Sequence, residues 1–206
     1  SVIWGFVYGA AATSACALAM SAMFPVLPFW SWAVIHAIVG FLLIWSGRYL
    51  LFEKVMMFLI GLMFVSVVGS ALLFLPNIGD LLKGFVPTVP KGSFMLTLGL
   101  IGGVGGTITM ASYGYWLKEK GWKGKEWIPM MRLDAKAAYF MTALFTLSLL
   151  IVGSQFLHGS GIEIQGEQGL YQLSDMIGAR FGSVFKWLFL IGFWAAAFSS
   201  LLGVWN

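Results

Sequence analysis

The chain has 206 residues, 60% of them hydrophobic and only 10% charged, where a soluble domain carries roughly a quarter charged residues. So apolar a chain could not hide its surface from water, which excludes an ordinary soluble domain and makes lipid the solvent for most of it. The net charge of +4 is small for a nucleic-acid binder, and a single cysteine, Cys16, excludes an intramolecular disulfide and a cysteine metal cluster.

The predicted fold is all-α and integral to the membrane: one transmembrane domain over residues 1–206 with about six spans. Each must cross roughly 30 Å of hydrocarbon at 1.5 Å per residue. The first runs from Val2 to Phe24, is rich in Ala, Ser and Thr, and is closed by Pro25 and Pro28. Cys16 lies within it, where a thiol reads as a small buried hydrophobe. The second runs from Trp30 to Trp45 and ends at Gly47-Arg48; the third, Leu51 to Leu75, stops at Pro76-Asn77. Pro76 to Ser93, with its prolines and glycines, reads as an external turn or short re-entrant piece. Phe94 to Leu117 is the fourth span, Ala135 to Leu157 the fifth and Val184 to Trp205 the sixth. Between the last two, Leu170 to Ile177 has the pattern of a short amphipathic surface helix. The chain opens inside one hydrophobic stretch and stops directly after another, which reads as a piece of a longer protein.

Charges lie almost wholly between the spans. The richest basic loop holds Lys118, Lys120, Lys123, Lys125, Arg132 and Lys136 against Glu119, Glu126 and Asp134. Lys/Arg-rich loops stay in the cytoplasm. This loop and the Arg48–Lys54 turn are therefore expected inside, and the loops around Asp80 and Glu163 outside. The first span then runs from inside to outside. The basic excess is a topology signal, not a nucleic-acid footprint.

Ionisable groups within spans mark ion pathways, and here they are nearly absent. His36 is the clear case and His158 sits at the end of its span; a lone histidine on an apolar helix more often bonds a neighbouring carbonyl or hydroxyl than a metal. No Ser/His/Asp set, paired carboxylates or H-E-x-x-H stands within the spans, so an enzyme is not expected. The fourth span is unusual. It contains Gly102-Gly103-Val104-Gly105-Gly106-Thr107-Ile108-Thr109-Met110-Ala111-Ser112. Each glycine costs a helix about 1 kcal/mol relative to Ala, and unwound backbone at that depth survives only where it is buried or lines a cavity. Secondary transporters place ion sites at such breaks. The glycines also form small-xxx-small pairs, Gly102 with Gly106 and Gly105 with Thr109, that would dock helices closely. Both readings stand on the pattern alone.

This segment resembles the Nramp family of divalent-metal transporters, whose sixth helix carries G-A-T-V-M-P-H-N at its break. Gly105-Gly106-Thr107-Ile108-Thr109 is similar to its opening. Phe193 to Gly203 (F-W-A-A-A-F-S-S-L-L-G) is similar to the family's eighth helix, Arg132 to His158 to the seventh, and Ser1 to Leu75 to the third to fifth. The resemblance implies a LeuT-like fold of two inverted five-helix repeats with a broken helix here, and it runs the sixth helix from outside to inside, as the charges do. The family's D-P-G-N motif, with its acidic ligand, is not in this sequence.

The resemblance implies metal-site positions at Gly106 and Thr109, with Thr107 beside them. In the register that aligns Gly105, Thr109 holds the place of the family's metal-selecting methionine; a slip of one residue puts Met110 there instead. Losing a thioether favours hard oxygen ligands and magnesium, as in the Nramp-related magnesium transporter branch. The expected function is thus transport of a divalent cation, Mg2+ or Mn2+, by alternating access at a broken-helix site. The ion would be substrate and no cofactor is expected; the other partners are the lipid bilayer and the remaining helices of the full-length transporter. The expected location is the plasma (inner) membrane of a prokaryote. A sodium-coupled transporter of an organic substrate and a transport-silent receptor or scaffold are the alternatives.

Overall fold

A computed structural model describes residues 2–46, 49–73, 79, 84, 86, 92–95, 97–98, 107–157, 168–179 and 180–205, and the side chains of these apart from 2–4, 49–50, 107–112 and 155–157. Its helices are α1 (Val2–Met23), α2 (Phe29–Trp45), α3 (Tyr49–Leu73), α4 (Thr107–Glu119), α5 (Ile128–Leu157), α6 (Gln168–Phe181) and α7 (Ser183–Trp205), with a 3-10 turn at Lys125–Trp127. Among the described residues there is no strand. Among the described residues four stretches are long and apolar enough to cross a membrane: Gly5–Met23, Leu51–Leu73, Lys125–Ser154 and Ser183–Trp205.

Of the expected six spans, four correspond to these stretches, α2 is an apolar but shorter helix, and most of the fourth lies outside the described residues. At 17 residues α2 covers about 25 Å at 1.5 Å per residue, short of the hydrocarbon thickness. Pro28 at its N-cap and Ser46 at its C-cap bound it. Trp30, Trp32 and Trp45 near its ends are the residue type that settles at the interface when a span is short. The fourth span is described from Thr107 onward as α4, with only isolated positions before it. The turn at Pro76 to Ser93 likewise lies almost wholly outside the described residues. The fifth begins at Ile128, seven residues before the expected Ala135. Pro129 suits a first helical turn, whose N–H groups have no partner within the helix. At 30 residues α5 is about 45 Å long, so its charged first turns, with Arg132, Asp134 and Lys136, can project beyond the apolar slab.

The contacts divide the chain into two compact units, Ser1–Leu75 with Leu144–Asn206, and Pro76–Ala143. In the first, α7 is the central element: α1, α2, α3 and α6 all pack on it. Its span is the most buried of the four, 44% against 33% for Gly5–Met23 and 28% for Leu51–Leu73. The reason is side-chain size. Ala195 is completely buried, as are Cys16 and Ala19 of α1 facing the same cores. Small residues let helices approach closely, where lipid leaves no hydrophobic force between them. At Gly192 the approach is so close that a Cβ would stand 2.5 Å from Cβ of Ser66 on α3. Large apolar side chains such as Phe6, Phe58, Val65 and Phe140 remain exposed, which suits a lipid-facing surface.

The helix directions in this unit follow from which ends meet. Trp205, at the end of α7, packs on Gly9 near the start of α1 and on Gly40 near the end of α2. At the other end Phe24, just past α1, meets Trp187 of α7 and Trp32 of α2. On α3, Leu59 joins the cluster with Leu201 and Leu202, whereas Ala71 joins the one with Phe189 and Leu190. So α1 and α3 run antiparallel to α7 and α2 runs parallel to it.

The α6–α7 corner is fixed by Gly182, whose φ of +97° is the left-handed value that commonly ends a helix. Its N–H bonds the carbonyl of Gly178 at 2.9 Å, and Lys186 pairs with Asp175 across the corner. The expected amphipathic helix, Leu170 to Ile177, is thus present and longer, with Leu170, Ser174 and Ile177 turned inward.

Candidate functional site

Among the described residues two places bear chemistry. One is a polar group buried in the first unit. His36 on α2 is 5% exposed. Its Nδ1 lies 2.7 Å from the carbonyl oxygen of Trp32, and its Nε2 accepts a hydrogen bond from Nε1 of Trp194 on α7 at 2.9 Å. A carbonyl can only accept and an indole N–H can only donate. The network therefore assigns the proton to Nδ1 and leaves the imidazole neutral, with its one free lone pair engaged. Phe198 meets the ring edge-on at 5.7 Å and stacks on Trp194 at 5.5 Å. A histidine with both nitrogens engaged is a pin between α2 and α7, not an open metal ligand, as expected for a lone histidine on an apolar helix.

The other place is the α4 segment. Positions 107, 109 and 110 form the first turn of α4. Gly106, and the expected break from Gly102 onward, lie outside the described residues. The backbone from Thr107 to Met110 is helical, so a break within Gly102 to Met110 would have to lie before Thr107. Further along α4, the Tyr113 hydroxyl donates to Oδ2 of Asp134 on α5 at 2.8 Å. This links α4 to α5 close to the basic connection between them.

Neither the Trp194–His36 pair nor the Tyr113–Asp134 pair was foreseen from the sequence. The signal for the first was available: an indole N–H deep in an F-W-A-A-A-F run needs an acceptor when buried, and His36 is the ionisable residue at comparable depth. The second joins a tyrosine and an aspartate whose spacing of 21 residues follows no helical repeat. Cys16 is free and fully buried, as a small hydrophobe should be. An apolar crevice lined by Ala37, Ile38, Phe41, Leu42 and Trp205 offers no polar ligand. Among the described residues no cluster of three or more His, Cys, Asp or Glu could hold a metal. His158, at the end of its span, lies outside them.

The model of the family described as Natural resistance-associated macrophage protein-like (Nramp) matches residues 2–204. No curated protein and no solved structure matches the chain.

Proposed function

The chain belongs to the Nramp family of divalent-metal transporters, and from that premise we propose that it carries Mg2+ or Mn2+ by alternating access at a site formed by a break in the glycine-rich segment leading into α4, the segment that resembles the family's sixth helix. Family membership makes the protein an integral membrane transporter of LeuT-like fold, not an enzyme, with a divalent metal ion as substrate. The metal, the mechanism and the site residues are the proposal.

The observation that carries it is the match across residues 2–204, taken with the sequence Gly105-Gly106-Thr107-Ile108-Thr109-Met110 at the segment that resembles the family's break. In this reading Gly106 contributes a backbone carbonyl, and Thr109 a hydroxyl or a contact to a water on the ion. Thr107 lines the same polar stretch, and Met110 is the ligand in the alternative register. Magnesium dehydrates reluctantly and keeps several waters, so small oxygen-bearing residues suit it, whereas a thioether would favour softer metals. His36 takes no part in metal binding, because both its nitrogens are already bonded. The branch related to magnesium transport is the one this pattern favours.

The test is uptake of Mg2+ and Mn2+ by the full-length protein in vesicles, wild type against Thr109→Met. A restored soft ligand raises uptake of manganese or cadmium and impairs magnesium. An unchanged ratio in a well-folded variant removes Thr109 from the site, and Met110→Ala then tests the other register. Absence of any metal-dependent uptake in the wild type would favour a transport-silent receptor.

A further inference from the structure

We propose that the stretch from the end of α4 into the first turns of α5, residues 118–136, is a binding surface for anionic phospholipid headgroups. Six basic and three acidic side chains in that stretch leave it cationic. It leads directly into Lys125–Ser154, one of the stretches apolar enough to cross a membrane, so chain continuity holds it at the membrane surface. Charge alone would make it a solvated cytoplasmic loop.

The aromatic geometry adds a second, independent feature. Trp122 and Trp127 stack face to face, centroids 5.4 Å apart and planes 7° from parallel. The Lys120 ammonium lies over the Trp122 ring, 5.5 Å from its centroid. The loop reverses twice through glycines in left-handed backbone, Gly121 at φ +72° and Gly124 at φ +101°. These turns fold the chain so that the two indoles meet across only five residues. A half-buried pair of indoles outside both hydrophobic clusters of the first unit is poorly served by water. Indoles settle at headgroup depth, where their apolar faces and N–H groups are both accommodated.

Seated there, the indole pair holds Lys120, Lys123 and Lys125 at the level of the phosphates. Lys123 and Lys125 are exposed. The occupant that fits a cationic rim around an apolar slab is a lipid with a net negative headgroup. A zwitterionic lipid supplies the apolar part without the net charge.

The full-length protein is reconstituted in phosphatidylcholine vesicles containing a trace of spin-labelled phosphatidylglycerol or, in parallel, spin-labelled phosphatidylcholine. The fraction of each label immobilised by the protein gives their relative association. We expect phosphatidylglycerol to be favoured several-fold. That preference should fall toward one in the Lys120→Gln/Lys123→Gln/Lys125→Gln variant, and also in wild type at 1 M salt, where the screening length shrinks to about 3 Å. Trp122→Leu/Trp127→Leu, which keeps the charge, should lose part of it. Equal association of the two lipids in wild type would overturn the proposal, as would a triple variant that is monodisperse and keeps the full preference. Displacement of the labelled lipid by millimolar inorganic phosphate would also overturn it, by identifying a site for free phosphate.

Discussion

Replacing Trp194 or His36 by phenylalanine tests whether the buried pair is a structural pin. Phenylalanine keeps a flat ring to meet Phe198, now 5.7 Å from the His36 ring, and removes the bond between the two side chains, together with the Nδ1 bond to the Trp32 carbonyl in His36→Phe and part of the indole's volume in Trp194→Phe. His36→Phe leaves the Trp194 N–H without its partner at 2.9 Å, and Trp194→Phe leaves Nε2 of His36 without a donor. A buried group stripped of its partner costs about 1–3 kcal/mol. The pair itself is worth less, since double-mutant cycles on hydrogen bonds between membrane helices average about 0.6 kcal/mol and reach about 1.7. Each single variant should therefore melt about 2–12 °C below wild type for a chain of this size. The double variant should be more stable than the sum of the singles requires, by about 0.6–1.7 kcal/mol. Thermal unfolding of the purified protein in detergent gives all four midpoints, and divalent-metal uptake into vesicles should survive in His36→Phe. Strictly additive singles would refute the bond. Loss of uptake in a stable His36→Phe variant would refute the structural assignment and move His36 into the ion path.

At the closest approach of α3 and α7, Gly192→Ala brings a Cβ to 2.5 Å from Cβ of Ser66, where about 3.5–4.0 Å is comfortable. It should cost about 1–3 kcal/mol in the same melting assay, and Ser66→Gly should restore most of the loss. Gly124→Ala forces an L-residue to φ +101°, a strain of about 1–3 kcal/mol; faster trypsin cleavage at Lys123 and Lys125 and a lower melting midpoint should report it. Cysteines placed at Lys123 and Gln172 should react with an impermeant maleimide from opposite sides of sealed vesicles, while the fully buried Cys16 stays unlabelled; reaction of both from one side would overturn the charge-derived topology.

Much of the architecture could be read from the chain because lipid enforces simple rules. Apolar length located α1, α3 and α7 to within two residues at each end, and proline marked the α1–α2 turn. The start of α5 was missed because Arg132, Asp134 and Lys136 looked like loop, although a helix longer than the slab carries charge without penalty. The α6 amphipathic helix was visible for the opposite reason: its inward residues, Leu170, Ser174 and Ile177, recur at helical spacing. Hydropathy could not reveal the partners across the packing. Nothing in the period of α2 or α7 announces that His36 meets Trp194, 158 positions away. The candidate metal positions came from motif similarity, which names residues without fixing their geometry.

The placement of α7 also bears on how the protein is made. Leu73 and Ser183 are about 110 positions apart, and a ribosome adding 5–20 residues per second needs roughly 5–20 s to cover that distance. Through that interval α1, α2 and α3 sit in the bilayer without the helix they all pack on. The close-contact positions reserved for it, Gly9, Gly40 and Ser66, then face lipid or one another. Burial of those faces waits for the late helix, which makes its arrival the natural committing step of assembly and the early helices natural clients of a membrane chaperone.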